Sequence, residues 1–211
     1  MCFSYKVTPQ KLEGIKKKLD GNGAVFGVSN DAVRLNGFTH PKAPVITSER
    51  PDALQLYEWG LMPHWAKDKT IQNNTLNARM ETINEKPSFR DCVNQRCLIP
   101  ADGFFEWQWL DSKGNNKQQY QIHLPDERLF YFAGIWSRWV DKGTGELLET
   151  YTILTTEANP LMAEIHNTKK RMPVIIDSDS ESEWLKDNKI CMVNDLLTAE
   201  RIGNAPSNLL F

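Results

Sequence analysis

Cys2 is the residue of this chain with the most distinctive potential chemistry. If Met1 is removed, as a small second residue generally permits, Cys2 carries a thiol and a free α-amine on adjacent carbons. Such an amine condenses with an aldehyde to an imine, and the thiolate then closes onto the imine to give a thiazolidine ring. An α-amine with a pKa of about 7.7 to 8.0 is roughly 10% neutral at pH 7, about two orders of magnitude more than an ordinary lysine. The same group could serve an N-terminal-nucleophile or cysteine hydrolase, while position alone favours an incidental thiol at a chain terminus.

Two other segments hold single titratable residues that could transfer protons. Glu106 lies within Gly-Phe-Phe-Glu-Trp at 103–107, where aromatic neighbours would desolvate the carboxyl and raise its pKa toward neutrality. A strand whose glutamate faces water is the alternative. His166 lies at the predicted end of a helix, where a lone histidine more often caps the helix than catalyses.

Polar and aromatic residues elsewhere are weaker candidates for binding. Asn77 and Arg79 stand two residues apart and could simply begin a helix with a solvated arginine. The Lys-Lys-Arg run at 169–171 is typical of a solvated loop. Trp65 follows a turn at Gly and Pro that could present it at a rim, although core packing is the commoner position for tryptophan.

Composition limits the class of protein. The chain has 211 residues, 40% of them hydrophobic and 25% charged, which predicts one folded domain over residues 2–211. Apolar runs are only a few residues long, and no signal peptide is recognisable at the start, so we expect a cytoplasmic protein without membrane contact. With 25 basic and 27 acidic residues, any polyanion must be held by a local basic patch. The four cysteines, Cys2, Cys92, Cys97 and Cys191, are expected to be free thiols, because their spacing fits neither a disulfide framework nor a metal motif.

The middle of the chain is predicted to be mostly strand. Short apolar or alternating runs are separated there by Gly, Pro, Asn and Asp. They occupy 24–28, 45–47, 54–61, 96–99, 103–108, 119–123, 129–136 and 150–156.

Helices are predicted mainly near the two ends. Thr8-Pro9 begins an amphipathic helix that ends at Gly21, Asn159-Pro160 begins a second that ends at His166, and a capping box at 180–183 opens a third at Trp184. Short helical segments are also expected at 79–84 and 195–202. The whole chain is therefore predicted to be a single α+β domain.

Several short motifs occur in a fixed order along nearly the whole chain. They are Met-Cys at the start, Trp-Gly-Leu-Met-Pro-His-Trp at 59–65, Asn-Ala-Arg-Met-Glu-Thr at 77–82, Cys-Leu-Ile-Pro-Ala-Asp-Gly-Phe-Phe-Glu-Trp at 97–107, Phe-Ala-Gly-Ile-Trp at 132–136, and a histidine shortly before Arg-Met-Pro-Val-Ile at 171–175. In this order, over about residues 2–200, the chain closely resembles the SOS response-associated peptidase (SRAP) family. Members of that family shield abasic sites in single-stranded DNA by covalent attachment.

The resemblance implies a fold and a role for each matching position. The fold would be a curved, barrel-like mixed sheet flanked by short helices. Cys2 matches the crosslinking residue and Asn77 the asparagine that positions it. Glu106 matches the catalytic carboxylate, and His166 the histidine that assists opening of the sugar.

The resemblance also implies DNA contacts. Arg79 matches a phosphate-contacting arginine, and Trp65 an aromatic residue that packs against DNA where the strand bends. Four residues precede Arg171 after the histidine, where the family usually has one, so Lys169 or Lys170 is expected to compensate if Arg171 is displaced.

The chain also departs from the family pattern near its start. Cys2-Phe3-Ser4 stands where Cys-Gly-Arg is common, which removes one phosphate contact, and Phe105 stands where Tyr is common.

Three functional hypotheses remain open at this point. The first is a monomeric enzyme, without cofactor or metal, that forms a thiazolidine crosslink between Cys2 and abasic single-stranded DNA. The second is an N-terminal-cysteine hydrolase whose minimal activity is removal of Met1, although no glycine-rich oxyanion turn is recognisable. The third is a non-catalytic binder of single strands that uses aromatic residues and cations.

Overall fold

The computed structural model describes residues 2–19, 26, 31–177, 180–187 and 192–203. Within them the strands are β1 (Ser4–Val7), β2 (Val33–Asn36), β3 (Lys42–Thr47), β4 (Gln55–Trp59), β5 (Asn77–Arg79), β6 (Arg96–Ala101), β7 (Gly103–Trp109), β8 (Lys117–His123), β9 (Phe130–Val140), β10 (Leu147–Glu157), β11 (Arg171–Pro173), β12 (Ile175–Ile176) and β13 (Thr198–Ile202). The α-helices are α1 (Pro9–Lys18), α2 (Pro160–Ile165) and α3 (Glu181–Asp187). Short 3₁₀ helices lie at Gly37–Thr39, Lys69–Asn74, Met80–Thr82, Arg90–Cys92 and Asn194–Leu196.

Five strands close into a barrel. β10 pairs with β4, β4 with β3, β3 with β6, β6 with β9, and β9 again with β10. The β10–β4 pairing is parallel and the other four are antiparallel. A closed ring leaves no unpaired edge, which is how a small sheet protects its backbone groups. The predicted barrel-like mixed sheet with short helices in a single domain is therefore confirmed.

A second, antiparallel sheet carries the start of the chain. Its strand order is β13-β8-β7-β1-β2. Alternate residues of β1 face the core, so that Tyr5 and Val7 are fully buried. The hydroxyl groups of Tyr5 and Tyr151 lie 2.9 Å apart and hydrogen bond, which joins this sheet to the barrel. The residues just before β1 are thereby held at the junction of the two sheets.

The barrel is closed tightly around β9. The sequence of this strand is almost continuously apolar, and it is buried over most of its length. A Cβ atom at Gly134 would lie 2.5 Å from Ile99 Cδ1 and 2.6 Å from the carbonyl oxygen of Thr152. Only glycine allows the neighbouring strands to approach so closely at this position.

The three longer helices are confirmed, with differences at their ends. Asn159 caps α2 by accepting a hydrogen bond from the Met162 amide at 2.9 Å. Thr8 makes no side-chain cap at α1, because its hydroxyl donates to Asp102 Oδ2 at 2.6 Å. The capping box at 180–183 does precede a helix, although α3 already begins at Glu181. The predicted end at Gly21 lies outside the described residues, as does Cys191.

One of the two predicted short helices is wrong, and the other is confirmed in part. Residues 198–202 form strand β13, which pairs along its whole length with β8, after a single 3₁₀ turn at Asn194–Leu196. At 198–202 pairing with the neighbouring strand overrides the local pattern. The helical segment expected at 79–84 is present as the 3₁₀ helix Met80–Thr82, although Arg79 itself ends strand β5. Strands β1 and β2 were not predicted, and the predicted run at 24–28 lies outside the described residues, except for Phe26, which is not in a strand.

None of the helices among the described residues is both long enough and apolar enough to cross a bilayer.

Candidate functional site

Cys2 lies immediately before β1 and is held from a strand distant in the sequence. Its side chain is fully buried, and its thiol lies 3.7 Å from the carbonyl oxygen of Ser4. The Asn77 side-chain amide donates a hydrogen bond to the Cys2 carbonyl oxygen at 2.8 Å. Asn77 is placed there by β5, because that strand pairs in parallel with β10 and sets Asn77 opposite Ile153. Cys2 and Asn77, 75 residues apart in sequence, are thus brought together.

The second polar atom of the Asn77 side chain is its amide oxygen, Oδ1. It is buried and accepts no hydrogen bond within the described residues. A buried acceptor without a donor is costly, which is why such atoms are rare in folded proteins. Asn77 therefore offers an unused acceptor beside the backbone of Cys2.

The ionisation of Cys2 is governed by its surroundings. Burial raises the pKa of the thiol well above its usual value, and the negative charge of Glu106 raises it further. At neutral pH the sulfur therefore carries its proton in the resting protein. A nucleophilic sulfur at this position needs a partner that removes that proton.

Glu106 is the carboxylate whose negative charge acts on the Cys2 thiol. It lies on β7, where it follows Phe105 and precedes the exposed Trp107, and it is only 6% exposed. The alternative of a glutamate that faces water is excluded by this burial. The Trp107 amide lies 3.4 Å from Glu106 Oε2 and donates to it.

His166 ends α2 and faces the same carboxylate. It is 7% exposed, and its Nδ1 lies 2.8 Å from the carbonyl oxygen of Arg171, to which it can donate a proton. Burial lowers the pKa of His166 below its ordinary value, although the charge of Glu106 partly opposes this. His166 is therefore neutral at pH 7, and it serves both as the end of the helix and as a wall of the site.

Two adjoining cavities open onto Glu106, and the smaller one also onto His166. The larger has a volume of about 590 Å³ and the smaller about 370 Å³. Both are lined by Phe3, Glu106 and Trp107, so they meet at the carboxylate. The larger also includes Ser4, Arg34, Asn36, Phe38, Phe105 and Gln119, and the smaller includes Trp109, Lys117, His166 and Thr168. Within the described residues, no group of three or more His, Cys, Asp or Glu side chains is arranged to hold a metal ion.

Arg171 is placed differently from the predicted DNA contact. Its side chain is 8% exposed, and its guanidinium binds both carboxylate oxygens of Glu81, at 2.9 and 2.7 Å. The same group donates to the carbonyl oxygen of Thr155 at 2.7 Å. A guanidinium already occupied in this way is poorly placed to bind a phosphate, so Arg171 is not among the proposed DNA contacts.

Replacing Arg171 with methionine is expected to destabilise the fold. The change leaves the Glu81 carboxylate and the Thr155 carbonyl without a charged donor, which costs about 1–3 kcal/mol. Urea unfolding measures this loss. A variant of unchanged stability whose binding to DNA has become less sensitive to salt would instead restore Arg171 to the DNA contacts.

The remaining predicted contact residues lie outside both cavities. Arg79 is exposed at the end of β5, and Lys169 and Lys170 are exposed in the turn that follows His166. Trp65 is 46% exposed and donates from its indole nitrogen to the Pro87 carbonyl oxygen at 3.2 Å. Each is accessible to a ligand, and their predicted roles in binding remain proposals.

Sequence reasoning missed several residues that line the cavities. Arg34 and Phe38 come from β2 and the turn after it, whereas Trp109 ends β7 and Lys117 begins β8, on either side of the turn that joins these strands. The Lys117 ammonium lies 4.9 Å from the centre of the Trp109 ring. No spacing in the sequence marks these residues, because strand pairing alone brings them to the site.

The sequence of this chain is similar to those of several known proteins. The family model "SOS response associated peptidase (SRAP)" matches residues 1–202. "Abasic site processing protein YoqW" of Bacillus subtilis is 46% identical over 142 residues, which are 67% of this chain and 61% of that protein. "Abasic site processing protein HMCES" of Gallus gallus is 36% identical over 170 residues, 69% of this chain and 48% of that protein. The chain thus matches about three-fifths or less of the length of these relatives.

A solved structure supports the same assignment. A crystal structure of a Bacteroides thetaiotaomicron protein superposes with a TM-score of 0.82 at 35% identity, covering 96% of this chain and 93% of that one. Since the family model spans nearly every described residue, including those around Cys2, Asn77 and Glu106, the chain belongs to the SRAP family.

Proposed function

We propose that this chain processes abasic sites in single-stranded DNA by forming a covalent thiazolidine crosslink through Cys2. The observation that carries the proposal is that Asn77 holds the backbone of Cys2 while the charge of Glu106 acts on both the Cys2 thiol and His166. Glu106 and His166 also line one open cavity. The names of the curated relatives support abasic DNA as the substrate.

The first chemical stage releases the reactive aldehyde. An abasic deoxyribose is mostly a closed hemiacetal, so a proton must leave its hydroxyl group while the ring oxygen gains one. His166, neutral at pH 7, and Glu106 line one cavity and are the candidates for these transfers. The unused Oδ1 of Asn77 can accept a hydrogen bond from the Cys2 amine or a sugar hydroxyl.

The second stage joins the protein to the sugar. The Cys2 α-amine adds to the aldehyde, and one water leaves as the imine forms. The thiol sulfur then adds to the imine carbon, and its proton passes through Glu106 to the ring nitrogen. No electron is gained or lost overall, so the reaction needs no redox partner.

A buried, protonated thiol suits this order of events. Its raised pKa keeps the sulfur from reacting with other electrophiles before the substrate arrives. A protonated imine next to it would carry positive charge and stabilise the thiolate. Ring closure would also prevent β-elimination, through which a simple Schiff base allows strand cleavage.

Removal of Met1 is the first expected result. The mechanism requires a free α-amine on Cys2, so native expression should yield a chain that lacks Met1. N-terminal sequencing of the purified protein checks this directly. Active material that uniformly retains Met1 would eliminate the thiazolidine mechanism.

Arg79→Ala is expected to weaken binding to single-stranded DNA and to make it less dependent on salt. Each phosphate contact on a single strand releases about 0.7 of a counterion, so the salt slope should fall by about that amount. The measurement is equilibrium binding over a range of salt concentrations. Arg50→Ala is the matched control, because Arg50 is exposed and its side chain makes no ion pair with any described residue. An unchanged slope in Arg79→Ala would place this residue away from the phosphates.

Denaturing electrophoresis tests the proposed function itself. Purified protein is mixed with a single-stranded oligonucleotide that carries one abasic site, and with the same strand carrying a tetrahydrofuran analogue that cannot form an aldehyde. We expect a band resistant to heat and detergent with the first strand alone. Adducts with both strands, or with neither, would overturn the proposal, and cleavage of a peptide panel without adducts would favour the hydrolase.

A further inference from the structure

We propose that the larger cavity binds the nucleotide next to the abasic sugar, with its base stacked on Phe38 and its phosphate held by Arg34. This inference rests on the proposed function, because the reacting sugar must lie beside Cys2 for its neighbour to reach this cavity. It identifies a DNA-binding surface on β2 and the turn that follows it.

The base platform is a pair of phenylalanine rings. The centres of the Phe3 and Phe38 rings lie 4.9 Å apart, and the ring planes are inclined by 33°. Phe38 is 54% exposed, so its ring is accessible to a ligand in this cavity. Bases stack on such exposed aromatic rings with little regard to sequence.

The platform is held in place by its backbone. The Gly37 amide donates to the Phe3 carbonyl oxygen at 2.9 Å, and the Asn36 side chain accepts from the Phe38 amide at 3.1 Å. Gly37 itself is packed closely, since a Cβ atom there would lie 3.2 Å from Leu76. A ring fixed in this way loses little conformational freedom when a base stacks on it.

Arg34 supplies positive charge in the same cavity. Its guanidinium carbon lies 3.8 Å from the centre of the Phe105 ring, and its Nε donates to the Ser4 hydroxyl at 2.9 Å. Within the described residues no carboxylate forms an ion pair with Arg34, and its two terminal nitrogens donate no hydrogen bond. The flat side of the group is therefore fixed against Phe105, while its outer nitrogens remain available to a phosphate.

The position of the cavity indicates which nucleotide it holds. It meets the smaller cavity at Phe3, Glu106 and Trp107, next to the proposed reaction centre. Its volume of about 590 Å³ is within the range of about 300–1,000 Å³ that accommodates small organic ligands. A strand whose abasic sugar lies at Glu106 would carry one adjoining nucleotide directly into this space.

A cycle of protein and DNA changes tests the inference without the covalent step. Binding is measured to strands that carry the tetrahydrofuran analogue and, in one set, a second spacer that removes the base on either the 5′ or the 3′ side. Phe38→Ala should weaken binding to the strand with both bases by about tenfold, as expected for one lost stack. On one of the two spacer strands the same substitution should have almost no effect, because the stacking base is already absent.

Arg34 is tested in the same way, with a change in the phosphate backbone of the DNA. A methylphosphonate removes the charge of a single phosphate on the same side as the stacked base. Arg34→Gln should weaken binding to the normal strand by several-fold and have little further effect on the methylphosphonate strand. Thermal melts of each variant verify folding, and Leu147→Ala, which removes another exposed apolar side chain, should leave binding unchanged.

The outcomes separate this inference from the proposed function. If Phe38→Ala and Arg34→Gln weaken all strands equally, or none, the cavity does not hold the adjoining nucleotide and the inference is wrong. If the cycles behave as expected but wild-type protein forms no adduct with a true abasic site, the nucleotide site stands and the crosslinking function fails.

Discussion

Cys2→Ala is expected to abolish stable adducts with abasic DNA. The substitution keeps the α-amine but removes the sulfur that closes the ring, so the reaction stops at the imine. An imine is hydrolysed in water, and the amount of heat-stable product should therefore fall below detection. Cys2→Ser should behave in the same way, since a hydroxyl group is a far weaker nucleophile toward an imine.

Borohydride trapping shows where each variant stops. Reduction converts a transient imine into a stable amine, so both variants should give adducts only when borohydride is present. Wild-type protein should give the adduct without it. Stable crosslinking by Cys2→Ala at the wild-type rate would mean that another residue is the attachment point. Loss of even the borohydride-trapped product would mean that the amine of residue 2 takes no part.

Glu106→Gln and His166→Ala are expected to slow crosslinking by about 10² to 10³, in line with general acid–base contributions. Affinity for an intact single strand should change by no more than a few-fold, since neither group is proposed to hold the DNA. Glu106→Gln is nearly equal in volume to the wild-type residue, which matters because the side chain is only 6% exposed. Single-turnover crosslinking, with binding and thermal melting measured alongside, gives the three quantities.

The pH dependence separates the imidazole from a purely structural residue. Because the pKa of His166 is lowered by burial, neutral imidazole should persist below pH 6.5, its ordinary value. The crosslinking rate should already fall below about pH 8, because the Cys2 amine becomes protonated, and protonation of His166 should add a second decline below pH 6.5. The same lowered pKa contributes stability above about pH 6.5 that is lost as the pH falls through the value in the folded protein. The second decline should be absent from His166→Ala, whereas the decline due to the amine should remain. A well-folded variant that reacts at the normal rate would remove its residue from the mechanism, and a joint loss of folding and rate would favour a structural role.

Much of the fold could be predicted because its central strands carry strong local patterns. β6, β9 and β10 are long, apolar and bounded by turn residues, and each lies where the sequence indicates. The error at 195–202 concerns a short segment whose structure depends on a partner strand. β13 contains Ala199 and Glu200, residues that favour helices, and it becomes a strand only because β8 lies beside it.

The site residues that lie within recognisable motifs could be predicted from the sequence. The position of Glu106 inside an aromatic run indicated its burial, and the structure confirms that burial. Arg171 shows the limit of the sequence, because its pairing with Glu81 joins residues that are 90 positions apart. Arg34 shows the same limit. It lies opposite Lys6 because of the register between β1 and β2, and no local pattern in the sequence predicts that register.

Intact-mass measurement of the purified protein, before and after reaction with an abasic oligonucleotide, tests the thiazolidine mechanism most directly. Before reaction the mass should equal the chain without Met1. Afterwards it should equal that mass plus the oligonucleotide, less one water, and peptide mapping should place the DNA on Cys2. A covalent product that retains Met1, or that maps to a lysine, would contradict the mechanism.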